Sequence, residues 1–196
     1  MYIKTLPLGL VSANCYIICD ENTKVGAVID PGDFTSSLLK AISDSGMEEL
    51  KYILCTHGHF DHVGAVKDLA ADTDCRVFLC AEDTQLPPMF TAGKLYYTDT
   101  YADGTILNIA GLYIHVLHTP GHTPGSVCLM VDDVIFSGDT LFAGGCGRTD
   151  IGGSWTAIQA SLKRLGEIEG YFKVFPGHGE STTIAREKQY NPYMRG

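Results

Sequence analysis

Apolar residues recur along this chain in two rhythms. Short runs rich in β-branched and aromatic residues occupy 15–19, 25–29, 52–55, 77–80, 112–117, 127–131, 134–136 and 171–175. Each is closed off by Gly, Pro, Asp or Asn, which predicts strands. Between some of them the spacing turns helical. Asp33 can cap a helix with Phe34, Leu38, Leu39 and Ile42 on one face and Gly46 after it. Val63, Val66, Leu69 and Ala70 mark a second helix. Trp155, Ile158, Leu162 and Leu165 fall at i, i+3, i+7 and i+10, with Ser154 as cap and Gly166 as stop. A last short helix follows over 181–190. These apolar faces are read as core. The first fifteen residues are interrupted by Lys4, Pro7 and Gly9, so they predict a strand and turn rather than an export signal.

The order is strands, then alternating strand and helix, then hairpin strands, then helix, strand and helix. That order predicts a layered sandwich with helices outside. No linker or low-complexity tract divides the chain, so a single domain over 1–196 is expected. The stretch 86–104 lacks periodicity and holds Pro87, Pro88, Phe90, Tyr96 and Tyr97. It is a lid, an interface or a plain surface loop.

Composition narrows the partners. With 196 residues and 45% of them hydrophobic, the chain can bury a sizeable core. Lys and Arg number 14 against 23 Asp and Glu, a net charge of −9. That balance argues against nucleic acid and against an anionic membrane surface. No segment approaches the roughly 18–20 apolar residues needed to span a bilayer. The seven cysteines include no C-x-x-C pair, and Cys19, Cys55, Cys80 and Cys128 lie in or at the end of apolar runs. They read as free, buried thiols of a cytoplasmic protein rather than as a disulfide framework.

Five of the seven histidines change the picture, because each lies in a polar segment that follows a strand. The first segment is Thr56-His57-Gly58-His59-Phe60-Asp61-His62, the second runs from Thr119 to Gly125 around His122, and the third is Pro176-Gly177-His178-Gly179. Ser137-Gly138-Asp139-Thr140 adds a carboxylate after another strand. Imidazole and carboxylate suit zinc, iron and manganese. One tight loop cannot aim His57, His59, Asp61 and His62 at a single tetrahedral ion. His57 and His59 can point to one ion, and Asp61 and His62 to a neighbour. Two ions bridged by Asp139 and a hydroxide use every group. His115 lies inside a strand pattern and is left out. His118 opens the turn before His122 and is also left out, or at most supports the ligands from behind.

The string His57-Gly58-His59-Phe60-Asp61-His62 resembles the signature of the metallo-β-lactamase superfamily. Ile29-Asp30-Pro31-Gly32, His118 to Thr123, Ser137 to Phe142 and Pro176 to Gly179 support it, in the superfamily's order and over the whole chain. The resemblance implies an α/β fold, a four-layer αββα sandwich with the metals at one edge between two sheets. It assigns His57, His59 and His122 to a first divalent ion. Asp61, His62 and His178 go to a second, with Asp139 bridging. Zinc is the first choice, and iron or manganese also suit the set. Asp30 is either a buried group behind the ligands or a turn residue before Pro31-Gly32.

Within the superfamily, Gly138 to Phe142 and Gly145-Cys146-Gly147-Arg148 are similar to hydroxyacylglutathione hydrolases (glyoxalase II). That resemblance implies hydrolysis of a small-molecule thioester by a metal-bridging hydroxide, with Asp61 orienting it or taking its proton. It implies that Arg148, Cys146 and Gly147 meet the substrate, Arg148 standing where those enzymes use a Lys against glutathione. Asp150 replaces a Tyr of that family. The chain also ends at Gly196, before the helical domain with which that family holds glutathione. Cys146 to Asp150 equally resembles the single-iron persulfide dioxygenases. A metal-binding scaffold without turnover is a third reading.

Overall fold

In a computed structural model of the chain, which describes residues 1–71, 73–91 and 93–195, two six-stranded sheets lie face to face. The first holds β1 (Tyr2–Leu8), β2 (Ala13–Cys19), β3 (Val25–Ile29), β4 (Glu49–Leu54), β5 (Arg76–Cys80) and β6 (Asp99–Tyr101), in that order. β1, β2 and β3 are antiparallel, and β3 to β6 are parallel. The second contains β7 (Ile106–Ile109), β8 (Leu112–His118), β9 (Val127–Val131), β10 (Val134–Gly138), β13 (Lys173–Pro176) and β14 (Thr182–Thr183). Between β10 and β13 the chain makes a small hairpin, β11 (Leu141–Phe142) with β12 (Gly145–Cys146), and then the long helix α4 (Trp155–Gly166). Helices α1 (Ser36–Asp44), α2 (Phe60–Val63) and α3 (Val66–Ala71) cover the first sheet, and α5 (Ile184–Tyr190) joins α4 on the second.

Three apolar clusters make this a four-layer αββα sandwich. Ile18, Ile29, Leu54, Val116, Leu129 and Phe136 meet between the sheets. Ile17, Val28, Ile53 and Val77 face the other way, onto Leu38, Val66 and Leu69 of the first helical layer. Cys128, Ile135 and Val174 pack against Ile158, Leu162, Leu165 and Ile184 of the second. Strand β2 shows why it reads as an unbroken apolar run: every residue is buried, with Ile17 and Ile18 on opposite faces. Each such side chain contributes about 1.5–3 kcal/mol by leaving water. No described helix is long and apolar enough to cross a membrane. All seven cysteines are free, and all but Cys146 are buried.

Several expected details shift. Thr35, not Asp33, caps α1, its hydroxyl accepting from the Leu38 N–H. Phe34 therefore precedes the helix, and it and Leu39 are exposed, while Leu38 and Ala41 carry the buried face. Ser154 does cap α4, but Gly166 is its last helical residue. Trp155 is half-exposed, with its ring against Tyr193 rather than the core. The strand expected at 171–175 is β13, at Lys173–Pro176. The final helix starts at Ile184, behind β14.

The aperiodic stretch 86–104, of which residue 92 lies outside the described residues, ends in edge strand β6. Strand β7, at Ile106–Ile109, also escaped the sequence reading because only Leu107 and Ile109 of its four residues are buried. The single-domain extent remains an expectation.

Candidate metal centre

The loops that carry the histidines leave the strand ends at one edge of the sandwich. His57 and His59 follow β4, Asp61 and His62 sit on α2, His122 follows β8, Asp139 follows β10, and His178 follows β13. Two trios of donors result. Ligand atoms of His57, His59 and His122 lie within 4.8 Å of one another, and so do those of Asp61, His62 and His178. Asp139 stands between them: Oδ2 is 3.5 Å from His122 Nε2 and 3.6 Å from His178 Nε2, and Oδ1 is 3.5 Å from His62 Nε2. All seven expected ligands thus converge, in the grouping the resemblance implied.

Each imidazole of the first four histidines is turned by a partner on its far side. His62 Nδ1 donates to Asp30 Oδ2 at 2.9 Å, His122 Nδ1 to the Arg148 carbonyl at 2.7 Å, and His59 Nε2 to the Ile151 carbonyl at 3.2 Å. The Thr56 hydroxyl gives its hydrogen to Asp30 Oδ2 at 2.6 Å, so toward His57 Nδ1, 3.1 Å away, it can only accept. In its neutral form each ring then presents a lone pair inward: Nε2 of His57, His62 and His122, and Nδ1 of His59.

Burial first, and then the neighbouring imidazoles, push His57 well below its usual value, and burial with His122 draws His59 down to about 4. Those rings are neutral at pH 7, as a ligand must be. Burial opposes charge on His62, yet Asp139 and Asp30 raise it to about 9. Burial likewise opposes ionisation of Asp61, but His178 and His62 bring it to about 2.

The donor set fits a pair of divalent ions on independent grounds. Among the described residues, the buried side-chain polar atoms without a hydrogen-bond partner are His57 Nε2, His62 Nε2 and Asp139 Oδ1. Leaving such atoms unpaired costs about 1–3 kcal/mol each, and a cation removes that cost. The backbone makes room as well. A Cβ on Gly177 would lie 2.1 Å from Asp139 Oδ1, and one on Gly147 would lie 1.9 Å from the Asp139 carbonyl and 3.0 Å from His122 Nδ1. Gly147 thus lets the 145–150 loop approach the ligands from behind.

Three groups that hold the loops were not picked out by sequence. Asp83 is fully buried, and its carboxylate accepts from Gly58 N at 2.7 Å, Gly125 N at 2.6 Å and Thr123 Oγ1 at 2.8 Å. It joins the His57–His59 loop to the His122 loop. Asn14 Nδ2 donates to the carbonyls of Pro176 and Gly179, tying β2 to the His178 loop. Glu187 accepts from Gly144 N at 2.7 Å and steadies the β11–β12 hairpin. An isolated Asp, Asn or Glu without a motif carries no sequence signal, and all three partners lie far along the chain.

Asp30, by contrast, is both things expected of it. It has the left-handed φ of 51° of a turn residue and is buried behind His62. His115 is exposed on β8. His118 lies outside both trios, its Nε2 donating to the Pro124 carbonyl at 2.8 Å, where it braces the His122 loop.

Above the donors opens a cavity of about 550 Å³. Asp61, His59, His122, Asp139 and His178 form its floor, and Cys146 and Arg148 lie on its wall. The Arg148 guanidinium is exposed and paired with Asp150, Nε to Oδ1 at 2.6 Å and Nη2 to Oδ2 at 2.5 Å. Met89 and Phe90 bring the 86–104 stretch to the same wall, with the Phe60 N–H donating to the Phe90 carbonyl at 2.9 Å.

Known proteins resemble this chain over most of its length. Residues 8–178 match the sequence model of the metallo-beta-lactamase superfamily. The chain is 34% identical to the hydroxyacylglutathione hydrolase GloC of Haemophilus influenzae, over 98% of this chain and 97% of that one. It is similar in structure to the BLEG-1 B3 metallo-beta-lactamase (TM-score 0.90, 31% identity, all of both chains). ETHE1 from Myxococcus xanthus follows at TM-score 0.85 and 29% identity, over 98% of this chain and 84% of that one. A protein solved in a di-iron-bound form gives 0.83 and 34%, over 98% of this chain and all of the other.

Proposed function

The chain belongs to the metallo-beta-lactamase superfamily, and from that premise we propose that it is a hydrolase working with two divalent metal ions on a small-molecule thioester. The observation that carries the two-ion reading is the placement of Asp139 between two complete donor trios. His57, His59 and His122 would hold one ion and Asp61, His62 and His178 the other. Zinc is the ion proposed, and the same donors accept iron or manganese. Bound there, such ions bring water toward ionisation at neutral pH and polarise a carbonyl. Free thiols suit a reducing compartment, and the cytoplasm is the proposed setting.

The rest of the reaction is read from the chain's own residues. Asp61 is ionised at neutral pH, so its free oxygen lone pairs are available to orient an attacking water or accept its proton. Asp30 and Thr56 keep the rings of His62 and His57 turned with Nε2 inward. The backbone carbonyls of Ile151 and Arg148 do the same for His59 and His122. The water oxygen bonds to the acyl carbon, the carbon–sulfur bond breaks, and sulfur leaves with the electron pair. A thiolate is a weak base, so its departure needs little acid assistance.

The GloC relative supports a thioester as the substrate. The completeness of the second trio favours this reading over a dioxygenase, which needs one iron. The test loads metal-free protein with zinc or iron and follows thiol release from S-lactoylglutathione and an acyl thioester, beside oxygen uptake with a persulfide. Thiol release without oxygen uptake is the expected result. Oxygen uptake at one iron per chain would replace the hydrolase with the dioxygenase.

A further inference from the structure

The cavity above the metal centre is lined in a way that says what enters it. Its walls are Val11, Phe60, Met89, Phe90, Phe142 and Ile151, contributed by five separate segments of the chain. Several of these are about half or more exposed to solvent: Met89 is 79% exposed, Phe60 53% and Val11 49%. Leu10, beside Val11 in the β1–β2 turn, is fully exposed. Exposed apolar side chains gathered at the mouth of a cavity mark a place that an apolar ligand covers.

The charges point the same way. Arg148 is the cationic side chain on the lining, and both of its donors toward Asp150 are engaged. No described Lys lines the cavity. Glutathione carries carboxylates that a selective site must meet with free cations. This wall offers one arginine, already neutralised by its neighbour.

Resting on the thioester hydrolase reading, we propose that the group recognised here is an apolar acyl chain of several carbons, and that the thiol carrier is not recognised by its charge. The chain would lie along Phe60, Met89, Phe90 and Val11 with its carbonyl over Asp139. Burying each methylene there strengthens binding about three- to fourfold.

Two experiments separate this inference from the reading beneath it. The first is calorimetry on the metal-free protein with three thioethers: S-methylglutathione, S-hexylglutathione and the neutral S-hexyl-N-acetylcysteamine. The two hexyl compounds should bind within about threefold of each other and at least tenfold more tightly than the methyl one. Equal binding of methyl- and hexylglutathione, or a tenfold loss on removing the glutathione charges, would overturn the inference. Met89→Ser changes a side chain that stands mostly in solvent, so the fold should hold, and it should weaken both hexyl compounds about equally. Unchanged hexyl binding in that variant would also count against it.

The second experiment compares hydrolysis of hexanoyl-N-acetylcysteamine and S-lactoylglutathione by the zinc-loaded protein. A kcat/KM at least tenfold higher for the hexanoyl ester is expected. Preference for the glutathione ester overturns the apolar-chain inference and leaves the hydrolase standing. Cleavage of neither fails the hydrolase and this inference together.

Discussion

The floor and the rim of the cavity are built on opposite principles. On the floor, polar loops converge from four strand ends, and each of the four histidines His57, His59, His62 and His122 has a partner on its far side. On the rim, the side chains of Leu10, Val11, Phe60 and Met89 stand about half or more in solvent. A centre that must aim lone pairs within tenths of an ångström needs that rigid scaffolding. A wall that, as proposed, only has to exclude water from an alkyl chain does not. On that proposal the floor sets the reaction type and the rim the substrate choice.

Mutations can break this contrast, and the largest effects belong to the floor. Asp139→Ala should abolish turnover and lower the metal content below two ions per chain, read by metal analysis beside thiol release. Full activity with two bound ions in that variant would remove the bridging role. Next comes Asp83→Ala, which strands Gly58 N, Gly125 N and the Thr123 hydroxyl in a dry interior. A stability loss of about 3 kcal/mol or more is expected, measured by denaturant unfolding of the metal-free protein. Asp83→Asn, which keeps one oxygen, should lose less.

A pH titration sharpens the same comparison. His59 is held down to about 4 in the folded protein, below its usual value of about 6.5. Between those pH values the unfolded chain binds a proton there that the folded chain refuses, so acidification through this window costs stability. In the metal-free state His59→Gln should remove that part of the acid sensitivity. Identical stability–pH curves for the variant and the parent would refute the assignment. On the rim, Phe90→Ala should leave metal content intact and flatten the dependence of KM on acyl length. The smallest effect is expected of Arg148→Ala, less than about threefold on KM for a glutathione thioester, since Asp150 already neutralises the guanidinium.

Much of this could be read beforehand, because metal ligands announce themselves. His57-Gly58-His59-Phe60-Asp61-His62 is dense in one residue class, and it follows directly on the apolar run 52–55 that ends the preceding strand. The two sheets and the helices outside them followed from periodicity. What stayed hidden is what depends on distant partners. Asp83 acquires its role only when residues 58, 123 and 125 come around it. The cap of α1 moved from Asp33 to Thr35 because both side chains can cap and the choice depends on where Leu38 must point. Strand β6 was lost inside an aperiodic stretch because its three residues pair only along one edge of β5. The apolar wall was invisible for the same reason: Val11, Phe60, Met89, Phe142 and Ile151 share no segment of sequence.

The central claim is that this chain's chemistry needs two ions on one bridged floor. The direct test is a stepwise titration of the metal-free protein with zinc, following ions bound per chain and thioester cleavage in the same samples. Turnover should remain near background through the first equivalent and rise with the second. Full turnover at one ion per chain, or two bound ions with no cleavage of any thioester, would contradict it.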